Sequence, residues 1–320
     1  MAESRARSAL RVVRDTARFI GEVHRGRFDL VHLNPSLLPK AAVRDATLLL
    51  LAKALGKRTV VMTHGWDEMF ERRLASRYRW LSRLALNRAD AFIVLGKVFA
   101  ARLRALGYRG RVFIHPVPLE EELLRDAARH STESRGRAGD GSFTILFLAR
   151  IEREKGIYEA LEAYGTLKAR YPFLRMIVAG DGRSLHDVRR ACELKDISFP
   201  GRVEGKTKYA AFRMADAYLF PSYREGLPIS VLEAMAYGLP VVTTRVGALP
   251  DFFRHGEMGF MTPSSDPNQL AALMEELIVD PMLARRIGSF NSQYATEHFA
   301  GARIAAGLED IYAAVLDGTD

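Results

Sequence analysis

A chain of 320 residues, 48% hydrophobic and 27% charged, has ordinary globular composition and room for two domains with separate cores. One cysteine, Cys192, excludes an internal disulfide framework, and an apolar run near residues 48–55 falls far short of the ~20 residues a membrane helix needs. The +9 net charge is uneven: residues 1–140 carry 27 Lys and Arg against 15 Asp and Glu, and the remainder is net −3. Along the chain, residues 4–23 read as a helix, with no apolar stretch of secretory type behind the Arg-rich start. Apolar, β-rich runs follow at 29–33, 58–62, 91–95 and 111–114, separated by helical patterns at 41–55, 68–86 and 98–106. Such alternation predicts a parallel sheet with helical crossovers.

Residues 126–142 are polar and rich in Gly and Ser, with only alanines as apolar residues, and read as a linker or mobile loop. The pattern then restarts with strand-like runs at 143–149, 174–180, 197–199, 216–220, 240–244 and 259–262, and helices close the chain over 268–316. The expected fold class is therefore α/β, with two doubly wound domains. In such sheets ligands bind beyond the carboxyl ends of the strands, which directs attention to the loops after 148, 179 and 220.

The segment 221–242 is the most informative. Residues 222–227 form a loop, Pro228 suits a first helical position, and 229–236 make a short helix that ends before Gly238. Backbone N–H groups around Gly226 and Leu227, with the positive helix end, suit an anion. Glu225 precedes the helix and Glu233 lies on it. A ligand carrying both phosphates and hydroxyls fits this set, and sugar nucleotides have both.

Glu225 and Glu233, followed by Ala234-Met235-Ala236-Tyr237-Gly238-Leu239-Pro240-Val241-Val242, resemble the signature of the family 4 retaining glycosyltransferases, E-x7-E and then A-M-A-x-G-x-P-V-V. The likeness extends to LARIEREKG at 148–156, AGDG at 179–182 and FPGRV at 199–203, and covers residues 143–318. It implies the GT-B type, two Rossmann-like domains facing across a cleft, with an abbreviated N-terminal domain. It also implies that Arg150 and Lys155 hold a donor diphosphate, that Glu233 meets the ribose hydroxyls and Glu225 the donor sugar. Gly226 and Leu227 would contact sugar and phosphates through their backbone, Gly180 would form the glycine turn, and Arg202 and Val203 would meet the base. In the first half the likeness is weaker: DLVHLNPS and VVMTHGWD resemble strand-end segments of the family, which makes His64 the candidate for a contact near the reacting carbon, with Asp67 starting the next helix. The expected catalytic set is Glu225, His64, Lys155 and Arg150, without metal or other cofactor. Two departures stand out: the family usually opens with a strand and a Gly-rich loop where this chain has a helix, and its P-N-G-V-D is here His115-Pro116-Val117-Pro118-Leu119.

Plainer readings exist for each residue. Glu233 suits a helix dipole, Arg150 and Lys155 suit a solvated loop, Gly180 a simple turn, and His32 and His64 structural hydrogen bonds. The expected domains are 1–125 on the acceptor side, a linker at 126–142, a donor-binding domain at 143–298, and a C-terminal helix at 299–320 packing back toward the N-terminal domain. The expected activity is transfer of a hexose from a nucleotide-diphosphate sugar to an acceptor hydroxyl, in polysaccharide or glycolipid synthesis. The alternative is a non-catalytic or partner-dependent nucleotide-sugar-binding module. A cytoplasmic location is expected, with possible membrane contact: Arg7, Arg11, Arg14, Arg18 and Arg25, and later Arg72, Arg79 and Arg83 beside Tyr78 and Trp80, suit either an anionic lipid surface or a solvated helix face. A lipid-linked glycan is the expected acceptor. Nucleic acid is not an expected partner, since no helix-turn-helix, zinc or base-stacking signature accompanies the charge.

Overall fold

Every strand pairing in the structure is parallel, as the alternation of short apolar runs and helices requires. The structure, a computed structural model, describes residues 5–26, 28–35, 39–76, 79–133, 141–192 and 196–318. It divides into two compact units, Met1–Pro116 with Ala305–Asp320, and Val117–Ile304.

The first unit runs α1 (Arg5–Arg25), β1 (Leu30–Leu33), α2 (Pro39–Ala54), β2 (Arg58–Thr63), α3 (Glu68–Ala75), α4 (Arg79–Leu86), β3 (Ala91–Val94), α5 (Lys97–Ala105) and β4 (Arg111–Ile114). The strands form one sheet in the order β1-β2-β3-β4. β3 is buried along its whole length, which explains its continuous apolar run. Residues 68–86, expected as one helix, form two. α3 ends where the Ser76 hydroxyl donates to the Arg72 carbonyl at 2.8 Å, and α3 packs against α4, which an unbroken helix could not do. The apolar period carries across the break, so periodicity alone could not reveal it.

The second unit begins with α6 (Glu121–Glu133) and continues β5 (Phe143–Leu148), α7 (Ile157–Arg170), β6 (Leu174–Ala179), α8 (Leu185–Ala191), β7 (Ile197–Gly201), α9 (Gly205–Arg213), β8 (Ala217–Phe220), α10 (Ile229–Ala236), β9 (Val241–Thr244), β10 (Gly259–Thr262), α11 (Pro267–Val279) and α12 (Pro281–Phe299). The last helix, α13 (Gly301–Asp317), enters the first unit at Ala305. There Arg111 donates to the Ala314 carbonyl at 2.6 Å and Tyr312 hydrogen-bonds His32.

The expected linker at 126–142 requires correction, because residues 126–133 are the last turns of α6; residues 134–140 lie outside the described residues. Leu123 and Ala127, one turn apart, are buried, and Asp126 accepts from Arg213 at 2.8 Å and from the Tyr237 hydroxyl at 2.7 Å. The helix is held by tertiary partners rather than by a strong apolar stripe, and its polar composition concealed it.

The second sheet has the order β10-β9-β8-β5-β6-β7. The chain lays β6 and β7 on one side of β5, then returns to place β8 on the other. That reversal lies between β5 and β8, and beyond the carboxyl ends of strands at such a point parallel sheets commonly receive ligands. Ile145, Phe147, Tyr164, Val178, Leu219 and Met274 are among the side chains that close the core below it.

Candidate active site

The loops after β5 and β8 touch through backbone. Gly156 has φ 76°, and a Cβ there would lie 2.1 Å from the Pro221 carbonyl oxygen, so only glycine allows this approach. Tyr223 N–H donates to the Glu154 carbonyl at 3.0 Å, and the Ser222 hydroxyl reaches the same oxygen at 3.2 Å. The result is that Lys155, at the end of a 3-10 turn (Arg153–Lys155), donates from Nζ to Oε1 of Glu225 at 2.5 Å. Ser222 donates to the same carboxylate oxygen at 2.8 Å. The two charged side chains are 14% and 12% exposed, so the pair is shielded but open to a ligand. Lys155 retains further N–H donors beyond the one used here.

A second lysine–carboxylate pair lies on the next elements. Glu233, on α10, is 6% exposed, and Lys208 from α9 donates to its Oε1 at 2.7 Å. Burial pushes the Glu233 pKa up, and the Lys208 ammonium opposes that shift. α10 spans Ile229–Ala236, the range expected for the short helix; Pro228 is its N-cap and supplies no side-chain cap, so the first N–H groups of the helix are not taken by one.

The remaining expected residues of the second unit lie on the loops after β5, β6, β7 and β8. Arg150 follows β5 and pairs with Glu152 at 2.9 Å, with most of its side chain exposed. Gly180 ends β6 at φ 140°, where a Cβ would meet the Ala149 oxygen at 1.8 Å; it lets β6 run close against the loop that carries Arg150. The Gly226 carbonyl accepts from Ala248 N–H at 2.8 Å, and Leu227 is buried beside it. Arg202 is exposed and held by Glu204 at 2.7 Å, and Val203 leads from it into α9. Among the described residues no group of three or more His, Cys, Asp or Glu could hold a metal ion.

His64 belongs to the first unit. It follows β2, is exposed, and its Nε2 lies 3.0 Å from the Asn34 side-chain oxygen after β1. His32, on β1, is half-buried; burial first and the neighbouring His64 second push its pKa below the ordinary imidazole value, against a hydrogen bond with Asn34. Asp67 accepts Glu71 N–H at 2.9 Å through its carbonyl and so stands at the start of α3.

Residues 131–293 match the family described as glycosyl transferases group 1, and residues 4–121 match the one described as glycosyltransferase family 4. The chain belongs to the group 1 glycosyl transferases. It is 29% identical over 197 residues to glycogen synthase of Mycobacterium tuberculosis, a stretch covering 60% of this chain and 47% of that protein. It is 27% identical over 257 residues to the putative colanic acid biosynthesis glycosyltransferase WcaL of Salmonella typhimurium, covering 77% and 60%. The chain thus spans about half the length of the curated relatives it matches. Among solved structures, Anabaena HepE in complex with UDP superposes with a TM-score of 0.74 at 19% identity, covering 93% of this chain and 82% of that one. Sucrose-phosphate synthase from Thermosynechococcus elongatus gives 0.73 at 18%, covering 100% and 82%. These likenesses carry the GT-B fold.

Within this group 1 chain, Ser222 and Lys208 contact the candidate carboxylates Glu225 and Glu233, and sequence reasoning did not single them out. Glu233 held the only available signal for Lys208: a carboxylate on a helix that is buried almost throughout needs a cation nearby. Ser222 carried no signal, since its role arises from the close approach of two loops.

Proposed function

We propose that this protein transfers a hexose from a nucleotide-diphosphate sugar to an acceptor hydroxyl, with retention of anomeric configuration and without a metal ion. The observation that carries this reading is the pair of lysine–carboxylate contacts, Lys155 with Glu225 and Lys208 with Glu233, beside the β5/β8 switch of the second sheet. In this reading the free N–H donors of Lys155, the guanidinium of Arg150 and the amides that open α10 receive the diphosphate and stabilise charge as it leaves. Fixed donors of this kind are typically worth ~3 kcal/mol each in the transition state. Glu225, turned by Ser222, accepts hydroxyls of the donor sugar, with Gly226 and Leu227 lining that side. Glu233 accepts the ribose hydroxyls, the loop of Arg202 and Val203 meets the base, and Gly180 leaves room for the phosphates. His64 supplies the contact near the reacting carbon.

Support for a nucleotide sugar comes from structural neighbours whose titles name UDP and UDP-glucose, and support for a cell-surface polysaccharide from the colanic acid relative. The acceptor in this reading is a lipid-linked glycan at the cytoplasmic membrane face. No helix among the described residues is long and apolar enough to cross a membrane. Contact would instead run through the first unit, where Trp80 and Leu84 are exposed on α4 among Arg83 and Arg88.

The test is incubation of the protein with labelled UDP-, GDP- and ADP-hexoses, with and without membrane extract and with a chelator present. Label entering a glycan or lipid product from one donor class, with the donor's anomeric configuration preserved, is expected. Donor binding without turnover in any extract would instead favour a binding module.

A further inference from the structure

We propose that Lys208 is a positioning residue for the nucleotide: it occupies Oε1 of Glu233 and leaves Oε2 as the ionised acceptor for the ribose diol. The proposal rests on the donor-site reading above and concerns a residue outside all the motifs that led to it. Among the described residues Glu233 makes one side-chain hydrogen bond, the 2.7 Å contact from Lys208 to Oε1. Lys208 is itself 14% exposed, and its second partner is the Glu120 carboxylate at 3.7 Å. The Tyr209 hydroxyl donates to Glu120 at 3.3 Å and fixes it just ahead of α6. The ammonium therefore sits between two carboxylates, closer to the buried one.

The titratable groups around Glu233 can be named element by element. α9 presents Lys208 with Tyr209 beside it, Glu120 stands just ahead of α6, Asp126 on α6 reaches Tyr237 beyond the end of α10, and β8 presents Tyr218. α12 meets the turn after α10, at Gly238 and Leu239, through Gly288 and Asn291, neither of which titrates. Lys208 is thus the cation that opposes the burial-driven rise in the Glu233 pKa, and Glu120 is a carboxylate that adds to that rise. A protonated carboxyl offers one acceptor fewer to a diol, so loss of Lys208 should weaken ribose recognition and make it pH-dependent.

The experiment is calorimetry with UDP and 2′-deoxy-UDP, and with the GDP and ADP pairs in parallel, between pH 6 and 8. Lys208→Met should bind the ribonucleotide about tenfold more weakly, should discriminate less against the 2′-deoxy form, and should lose affinity further as the pH falls. Lys208→Arg should restore most of the affinity. Glu120→Gln, which leaves the Lys208–Glu233 contact in place, keeps the proposal testable should Lys208→Met not fold. It removes the opposing charge and should extend full affinity to lower pH. Wild-type discrimination and a wild-type pH profile in Lys208→Met, or no change in pH dependence in Glu120→Gln, would overturn the role of Lys208. Absence of binding by the wild-type protein to all three nucleoside diphosphates would overturn the donor-site reading instead.

Discussion

The two sheets of this molecule grow from the same alternation of strand and helix, yet they treat their strand ends differently. In the first, the described strands follow chain order, β1-β2-β3-β4, so each crossover advances in one direction. That sheet carries two hydrogen-bonded histidine pairs, His64 with Asn34 after β2 and β1, and His32 on β1 with Tyr312. In the second, the order reverses at β5, the loops after β5 and β8 touch through backbone, and two lysine–carboxylate pairs gather near the reversal. Strand order, which no single strand encodes, is what gives the second sheet a reversal at which parallel sheets commonly receive ligands and the first sheet none among its described strands.

Glu225→Gln strikes the comparison hardest. It keeps the shape beside Ser222 and Lys155 but removes the charge, and transfer should fall by about a thousandfold in a turnover assay while nucleoside diphosphate affinity changes little. Retained turnover would move the chemistry away from the β5/β8 switch. Next comes Gly156→Ala, where positive φ and a 2.1 Å approach to backbone combine. A cost of about 3 kcal/mol is expected, read as a fall of about 6–12 °C in the melting temperature. The matching change in the first unit, Gly65→Ala after β2, meets nothing within 4 Å and should shift melting by less than about 1 °C.

Smaller effects discriminate more finely. Lys155→Ala should weaken UDP binding about thirtyfold in calorimetry, and His64→Ala should leave it within about twofold. The reverse ranking would place the diphosphate in the first unit. The smallest effect is in the pH dependence of unfolding. His32 has a lowered pKa, so it contributes stability above its ordinary value of 6.5 that is lost as the pH falls through the folded value. Glu233, with a raised pKa, has the opposite sign: between its ordinary 4.5 and the folded value, falling pH stabilises the second unit. Denaturant titrations over this range should show the first slope disappear in His32→Asn and the second in Glu233→Gln.

Much of this was legible in the residues. Parallel sheets follow from short buried runs separated by helices, and the loops after 148 and 220 are visible in the sequence because strand ends in such sheets lead into helix starts. Gly156 and Gly180 stand where they do because backbone passes within the space of a methyl group, and glycines at those points are visible in a sequence. The contacts themselves were not visible. Lys155 and Glu225 are 70 positions apart and Lys208 and Glu233 are 25 apart, distances over which no local pattern links one charge to another. The split of residues 68–86 and the continuation of α6 through 133 were hidden for the same reason, since both depend on what packs against the segment rather than on its own period. Sequence alone determined most of the strands and helices, the parallel pairing and the residues able to carry charge near strand ends, because those depend on backbone sterics and local burial. Only the tertiary structure decided which strand neighbours β5, and therefore which lysine neutralises which carboxylate, because charge pairing acts through space and is set by the order in which the chain returns to its sheet.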